Sequence, residues 1–267
     1  MANDFQKYGV YPSKKLGQNF LIDKNIVHKI ISQIESPNNR IILEIGPGLG
    51  GLTETLLESK AKKIIAVEYD RACIRYLYDL QEHHKDRLEV VPEDALDIDE
   101  SEFAKEEKII IVSNLPYNIS VVLLLKWLDK ITHIDHMVLM FQKEVAERIV
   151  AKPGNKVYGI ASVLVQYLCD VEYRFDVSPN VFFPPPKILS AVIRVRPKKD
   201  IAARLETYPK IKIICNKVFN QRRKMLRNTL KDLFEFPDAV LLKAHLDGEL
   251  RPEQLSVEDF EKLASFL

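Results

Sequence analysis

The segment Asn114-Leu115-Pro116-Tyr117-Asn118 follows an apolar, strand-like run at Ile109–Val112, and its residue types suit chemistry on a weakly nucleophilic amine. The amine on C6 of adenine is such a group, because its lone pair is delocalised into the ring. The amide oxygen of Asn114 and the backbone carbonyl of Leu115 or Pro116 are acceptors for its N–H bonds. Accepting both favours a pyramidal nitrogen with its lone pair aimed at an incoming methyl group. Positioning and electrostatics carry such a step without a strong base. Pro116 holds the turn in one shape and has no N–H to donate. Tyr117 offers a ring on which a base swung out of its helix or loop can stack. Phe182, in the stiff loop Val181-Phe182-Phe183-Pro184-Pro185-Pro186-Lys187, is the candidate for the opposite wall of that clamp. An aromatic beside prolines more often packs in the core, so the role rests partly on the resemblance given below.

A methyl donor needs its own site. Glu44-Ile45-Gly46-Pro47-Gly48-Leu49-Gly50 ends one apolar run and opens a helical pattern. Glycines there let the chain turn tightly and let a ligand press against main-chain N–H groups, which makes Gly46 and Gly48 candidate contacts. Spacing alone leaves the ligand open, because Gly46-x-Gly48-x-x-Gly51 also satisfies the dinucleotide pattern. Glu44 lies two residues before the first glycine, where methyltransferases that bind S-adenosylmethionine habitually carry an acid. That ligand has no pyrophosphate to neutralise, so a carboxylate near its sulfonium and amino groups is tolerated. Glu68 closes the next apolar run, about twenty residues past the glycines, where an acid suits ribose hydroxyls. Asp94, in Glu93-Asp94-Ala95-Leu96, ends the third run and suits an adenine amino group.

The elements that position these residues alternate along the chain. Asp23 is a fair N-cap for a helix with apolar positions at Ile26, Val27, Ile30, Ile31 and Ile34. Strands are expected at 41–45, 63–67, 88–91, 109–112 and 137–141, with helices over 71–82 and 119–130 between them. Such near-continuous Ile/Val/Leu runs read as parallel strands covered by helices. Val171–Val177 and Ser190–Val195 alternate more and read as an antiparallel hairpin added at one edge. The expectation is an α/β, doubly wound, Rossmann-like sheet of about seven strands.

Composition shifts at Pro197-Lys198-Lys199-Asp200, and from Tyr208 the patterns are helical, broken by Pro209, Pro237 and Pro252. This places a boundary near 197, with 1–197 as the methyltransferase domain and 198–267 as a small all-helical domain. Lys210 to Lys231 holds eight Lys/Arg residues and no acid, with Arg222, Arg223, Lys224 and Arg227 read on adjoining turns of one helix. Most charge runs are solvated helix faces. An acid-free run in a chain of net charge +1 favours phosphate contact instead, with Lys14, Lys15 and Lys187 extending the surface.

Hydrophobic residues at 46% and charged residues at 29% are ordinary for a globular protein. Cys73, Cys169 and Cys215 lie far apart and neither they nor the six histidines have metal-ligand spacing, so no metal is expected and the thiols are read as reduced. The N-terminal residues lack the apolar stretch of a secretory signal, and no apolar run approaches the ~20 residues that span a bilayer. A cytoplasmic monomer that meets no membrane is expected.

Taken together these residues resemble the small-subunit ribosomal RNA adenine dimethyltransferase family, nearly end to end. The likeness runs from Lys15-Leu16-Gly17-Gln18-Asn19-Phe20-Leu21 through the glycine loop, Glu68, Asp94 and Asn114–Asn118. It continues to Phe182–Ser190 and Phe219–Asn228. The resemblance implies cofactor contacts at Asn19, Leu21, Gly46, Glu68, Asp94 and Asn114. It also implies dimethylation of two adjacent adenosines in a hairpin near the 3′ end of small-subunit rRNA during ribosome assembly, with the C-terminal domain docking on the immature subunit. Leu189 departs from the acid that many members carry before the serine. A relative that methylates large-subunit rRNA shares the glycine loop and the Asn-x-Pro-Tyr turn, but the Asn220-Gln221-Arg222-Arg223-Lys224 segment resembles the small-subunit family. A non-catalytic nucleic-acid binder would not need both motifs intact, and a dehydrogenase would leave Asn114–Asn118 without a role.

Overall fold

A computed structural model describes residues 2–13, 16–105 and 107–267, with the backbone alone at 2–4. Lys14 and Lys15, expected to extend a basic surface, lie outside the described residues. The chain forms two compact units, one of residues 1–146 and 172–196, the other of residues 147–171 and 197–267. The second unit thus holds 147–171 besides the C-terminal segment.

The first unit is built on a sheet of seven strands. In chain order the strands are β1 (Phe20–Leu21), β2 (Ile41–Ile45), β3 (Lys63–Val67), β4 (Leu88–Val91), β5 (Ile109–Asn114), β6 (Ile134–Gln142), β7 (Cys169–Val177), β8 (Phe182–Phe183) and β9 (Ser190–Pro197). β1 and β8 form a separate antiparallel pair, and the others line up as β4-β3-β2-β5-β6-β9-β7. β2 pairs in parallel with β3 and β5, β3 with β4, and β5 with β6, while β9 runs antiparallel to β6. The expected doubly wound sheet is present, with the two late strands at one edge. β6 runs longer than 137–141, starting at Ile134.

The parallel strands are mostly apolar because most of their side chains are covered on both faces. Ile42, Leu43, Ile64, Ile110, Ile111 and Val138 are fully buried. Chain order leaves β2 towards β3 and β4 on one side and resumes with β5 and β6 on the other. The carboxyl ends of β2 and β5 therefore face a crevice at the point where the winding reverses, where open α/β sheets bind ligands. Those ends carry the glycine loop and Asn114–Asn118.

Helix caps fix the connections. Asp23 caps the helix Lys24–Ile31 by accepting from Asn25 and Ile26 N–H, and Asp70 caps Arg71–His83 through Ala72 and Cys73. The first residues form a helix, Ala2–Tyr8, that the apolar patterns of the sequence do not announce. Phe5 packs edge-on against Phe20 and Phe183, and Tyr8 against Tyr76.

Two expectations for the second unit need correction. Pro209 does not break the helical pattern, since it lies inside the helix Ile201–Phe219. Proline removes one backbone hydrogen bond, but Tyr208, Ile211, Ile214, Cys215 and Val218 are buried along that helix and hold it together. Arg222, Arg223, Lys224 and Arg227 do not share one helix. The long helix ends at Phe219, a turn follows, and a short helix, Leu226–Thr229, begins after it. Met225 is extended, and the N–H groups of Leu226 and Arg227 are taken by the carbonyls of Leu250 and Gly248, which stops the long helix from continuing.

Candidate active site at the switch point of the sheet

A cavity of about 200 Å3 opens at the carboxyl ends of β2, β3, β4 and β5. Its wall brings together Asn19, Leu21, Gly46, Gly48, Glu68, Asp94 and Asn114–Tyr117, residues from five separate chain segments. Phe182 does not join them. In the β1–β8 pair it sits opposite Leu21, and the alternation of a strand sends its side chain inward, to 2% exposure, while Phe183 faces out at 48%. The expected opposite wall of the stacking clamp is therefore a core residue in this structure.

The glycine loop shapes the floor. Gly46 and Gly48 adopt φ of +67° and +59°, a region that side chains disfavour. Gly51 is required for a different reason: a Cβ there would stand 2.9 Å from the carbonyl oxygen of Leu21. The N-terminal segment thus lies directly on the loop. It is tied down by Gln18 donating to Asp70 at 2.8 Å, by Ile22 N–H donating to the Val181 carbonyl at 2.9 Å, and by the bond from Asn114 to Asn19.

Glu68 is buried and accepts from three backbone N–H groups, those of Gly48 at 2.9 Å and of Tyr69 and Asp70 at 2.8 Å. It braces the glycine loop against the end of β3. Burial nevertheless raises its pKa above the usual carboxylate range. Glu44, 1% exposed, accepts from the Thr53 hydroxyl at 2.7 Å. Burial, with Glu68 adding repulsion, pushes it up to about 8. Asp94 is half-buried and accepts from Leu96 N–H at 2.9 Å.

At the other end of the cavity, Asn114 donates from Nδ2 to the carbonyl of Asn19 at 3.0 Å. A carbonyl only accepts, so the amide orientation is fixed and its oxygen is left as an acceptor. Ile119 N–H donates to the Pro116 carbonyl at 3.1 Å and closes the turn. Tyr117 and Ser190 share a hydrogen bond of 2.6 Å between their hydroxyls, and burial raises the Tyr117 pKa. Ser190 is fully buried.

Several of these partners carry little sequence signal. Thr53 serves Glu44 across nine positions with no motif between them. Ser190 closes the loop motif but nothing in its spacing points to Tyr117. Asp70 is the exception, because an acid before a helical pattern is an N-cap signal.

Among the described residues lining the cavity, Glu44, Glu68, Asp70, Glu93 and Asp94 are acids and none is Lys or Arg. That donor set suits a cationic ligand with hydroxyl and amino groups and opposes one carrying phosphates. An S-adenosyl sulfonium compound meets these requirements.

The basic residues lie in the second unit. Arg223, Lys224 and Arg227 are exposed. Arg222 is half-buried, donating to the Lys156 carbonyl and lying 3.7 Å from the Glu253 carboxylate. Lys217 pairs with Asp232, the first acid after the basic run. Lys187 is exposed on the first unit.

Comparison with known proteins gives the family. The sequence model of a family described as "Ribosomal RNA adenine dimethylase" matches residues 12–267. A relative from Wolbachia sp. subsp. Drosophila simulans, called ribosomal RNA small subunit methyltransferase A, is 43% identical over 97% of this chain and 95% of its own. One of the same name from Rhodospirillum rubrum is 41% identical over 96% and 88%. Among solved structures, a dimethyladenosine transferase from Plasmodium falciparum is similar with a TM-score of 0.79 and 28% identity, covering 91% of this chain and 95% of that one. A 23S rRNA methyltransferase shares the fold at a TM-score of 0.71 and 22% identity, covering 92% and 98%. The chain belongs to the ribosomal RNA adenine dimethylase family and is a methyltransferase.

Proposed function

We propose that this methyltransferase moves methyl groups from S-adenosylmethionine to N6 of two adjacent adenosines in a hairpin near the 3′ end of small-subunit rRNA, giving N6,N6-dimethyladenosine during ribosome assembly. The observation that carries the reading is the acid-lined cavity ending at the Asn114 turn. S-adenosylmethionine, when bound, supplies an electrophilic methyl group on a cationic sulfur. Glu44, Glu68 and Asp94 supply carboxylates for its ammonium, ribose and adenine ends, and Asn19 and Leu21 cover it. Asn114 Oδ1 and the carbonyl of Leu115 or Pro116 accept the N–H bonds of the target amine and turn its lone pair towards the methyl group. Tyr117 stacks on the extruded base. No metal enters this scheme.

The partner is rRNA within the immature small subunit, met by a cytoplasmic monomer. The first unit, which is most of residues 1–197, acts as the catalytic domain. Residues 198–267, which with 147–171 make up the second unit, act as the docking domain, with Arg223, Lys224 and Arg227 on phosphates. Among the described residues no helix is long and apolar enough to cross a membrane. The test is methyl transfer from labelled donor to unmethylated small subunits and, separately, to naked large-subunit rRNA. Label is expected in the small subunit. Label confined to large-subunit RNA would overturn the reading.

A further inference from the structure

The helix Ser120–Asp129 starts at the Asn114–Asn118 turn and ends beside the loop that follows β4. At its start, Ser120 Oγ donates to the Tyr117 carbonyl at 3.1 Å. Nearer its end, Lys126 reaches across to that loop. Its ammonium group donates to the carbonyl of Ala95 at 2.9 Å, to the carbonyl of Ile98 at 2.5 Å and to Glu100 Oε1 at 2.8 Å. An ammonium has three N–H bonds, so the group is saturated. Glu100 is itself 1% exposed and accepts from the indole N–H of the fully buried Trp127 at 2.8 Å. A half-buried lysine paired with a buried glutamate thus lies against a short surface loop, whose backbone the ammonium grips at two carbonyls.

That loop carries Asp94, and Ala95 and Leu96 line the cavity with it. Without Lys126 the turn keeps the bonds from Asp97 N–H to the Asp94 carbonyl and from Leu96 N–H to the Asp94 side chain, and its buried Ala95 and Ile98 side chains, but loses the grip on two of its backbone carbonyls. The Lys126 ammonium holds both sides of it. We propose that Lys126 is a positioning residue for recognition of the cofactor's adenine: it fixes the loop so that the Asp94 carboxylate meets the exocyclic amino group, and it ties that loop to the helix that begins at the methyl-acceptor turn. The inference rests on the reading that this cavity takes an adenosyl group with Asp94 on its amine.

The test uses the whole protein and two probes, S-adenosylhomocysteine and its inosine counterpart, which carries a carbonyl where the adenine has an amine. One well-made hydrogen bond sets the scale, so the wild type is expected to prefer the adenine ligand about tenfold or more. In Lys126→Met the preference falls towards one and KM for S-adenosylmethionine rises, while kcat at saturation stays within about threefold. Lys126→Met leaves Glu100 buried and unpaired, so it also lowers the melting temperature. Lys126→Met with Glu100→Gln removes that charge and keeps the acceptor for Trp127. It is expected to recover stability without recovering the preference. A wild-type preference retained in Lys126→Met, or one restored together with stability in the double variant, overturns the inference alone. A wild type that binds both probes equally overturns the adenine reading beneath it as well.

Discussion

Asn114 and Asn19 meet through a single hydrogen bond, from the side-chain amide of one to the main-chain carbonyl of the other, across 95 positions of sequence. The bond commits the donor end of Asn114 to the N-terminal segment and leaves its amide oxygen as an acceptor. It also joins the N-terminal segment to the Asn114–Asn118 turn, and both line the cavity. Asn114→Ala is expected to lower methyl transfer by about a hundredfold or more, the range for losing one preorganised polar group. RNA binding by filter retention should stay near wild type. Substantial turnover in that variant would remove Asn114 from the chemistry.

Tyr117 and Ser190 form the second pair to test. Tyr117→Phe leaves a buried hydroxyl on Ser190 with no partner, which costs about 1–3 kcal/mol. Ser190→Ala leaves the half-buried Tyr117 hydroxyl instead, and the two changes together should cost less than the sum of the singles. Denaturant unfolding of the four proteins in the cycle measures the coupling. Additive losses would mean that the 2.6 Å hydrogen bond contributes nothing.

Glu44 gives stability a pH dependence. Its folded pKa is pushed up to about 8 from an ordinary value of 4.5, so the folded state holds a proton that the unfolded chain has lost between those values. Folding is therefore favoured at low pH by this group, and that contribution fades as pH rises through about 8. Relative to Glu44→Gln, the wild type should lose melting temperature between about pH 5 and pH 8. Parallel curves for the two proteins would show that Glu44 titrates normally. A cationic ligand favours the ionised carboxylate, so binding S-adenosylmethionine near neutral pH should release protons. Calorimetry in buffers of different ionisation enthalpy reads that release directly.

The basic turn separates two roles that the sequence pattern merges. Arg223→Glu with Lys224→Glu should weaken subunit binding and reduce the salt slope by about one for each phosphate no longer held. Arg222→Glu should instead lower the stability of the second unit, because Arg222 is bonded to the Lys156 carbonyl and lies beside Glu253. Thermal denaturation and salt-dependent binding, run on both variants, distinguish them. A normal melting curve for Arg222→Glu would show that these contacts contribute nothing to stability.

The sheet is legible in the sequence because its strands are buried on both faces and so read as continuous apolar runs between helices of 3.6-residue period. The convergence of the candidate cofactor residues on one cavity is legible because three of the segments that carry them end successive strands of a parallel sheet, a relation that survives in spacing. Phe182 is not, because its direction depends on pairing with Leu21, some 160 residues away, and a one-residue shift in a strand reverses the face. Arg222 departs from the helical pattern because the helix before it ends and Leu250 and Gly248 take the next free N–H groups, and tertiary bonds of that kind override local periodicity. Lys126 and Glu100 leave no trace, since a lysine in a helix reads as surface until the acceptors around it are seen.

Dimethylation of adjacent adenosines in small-subunit rRNA at the Asn114 turn is open to one direct measurement. Unmethylated small subunits would be treated with the protein and S-adenosylmethionine, and the fragment holding the 3′ hairpin would be isolated and analysed by mass spectrometry. N6,N6-dimethyladenosine is predicted at both neighbouring positions with the wild type and at neither with Asn114→Ala. Product that stops at N6-methyladenosine, or dimethyladenosine elsewhere with the hairpin unmodified, would contradict that role.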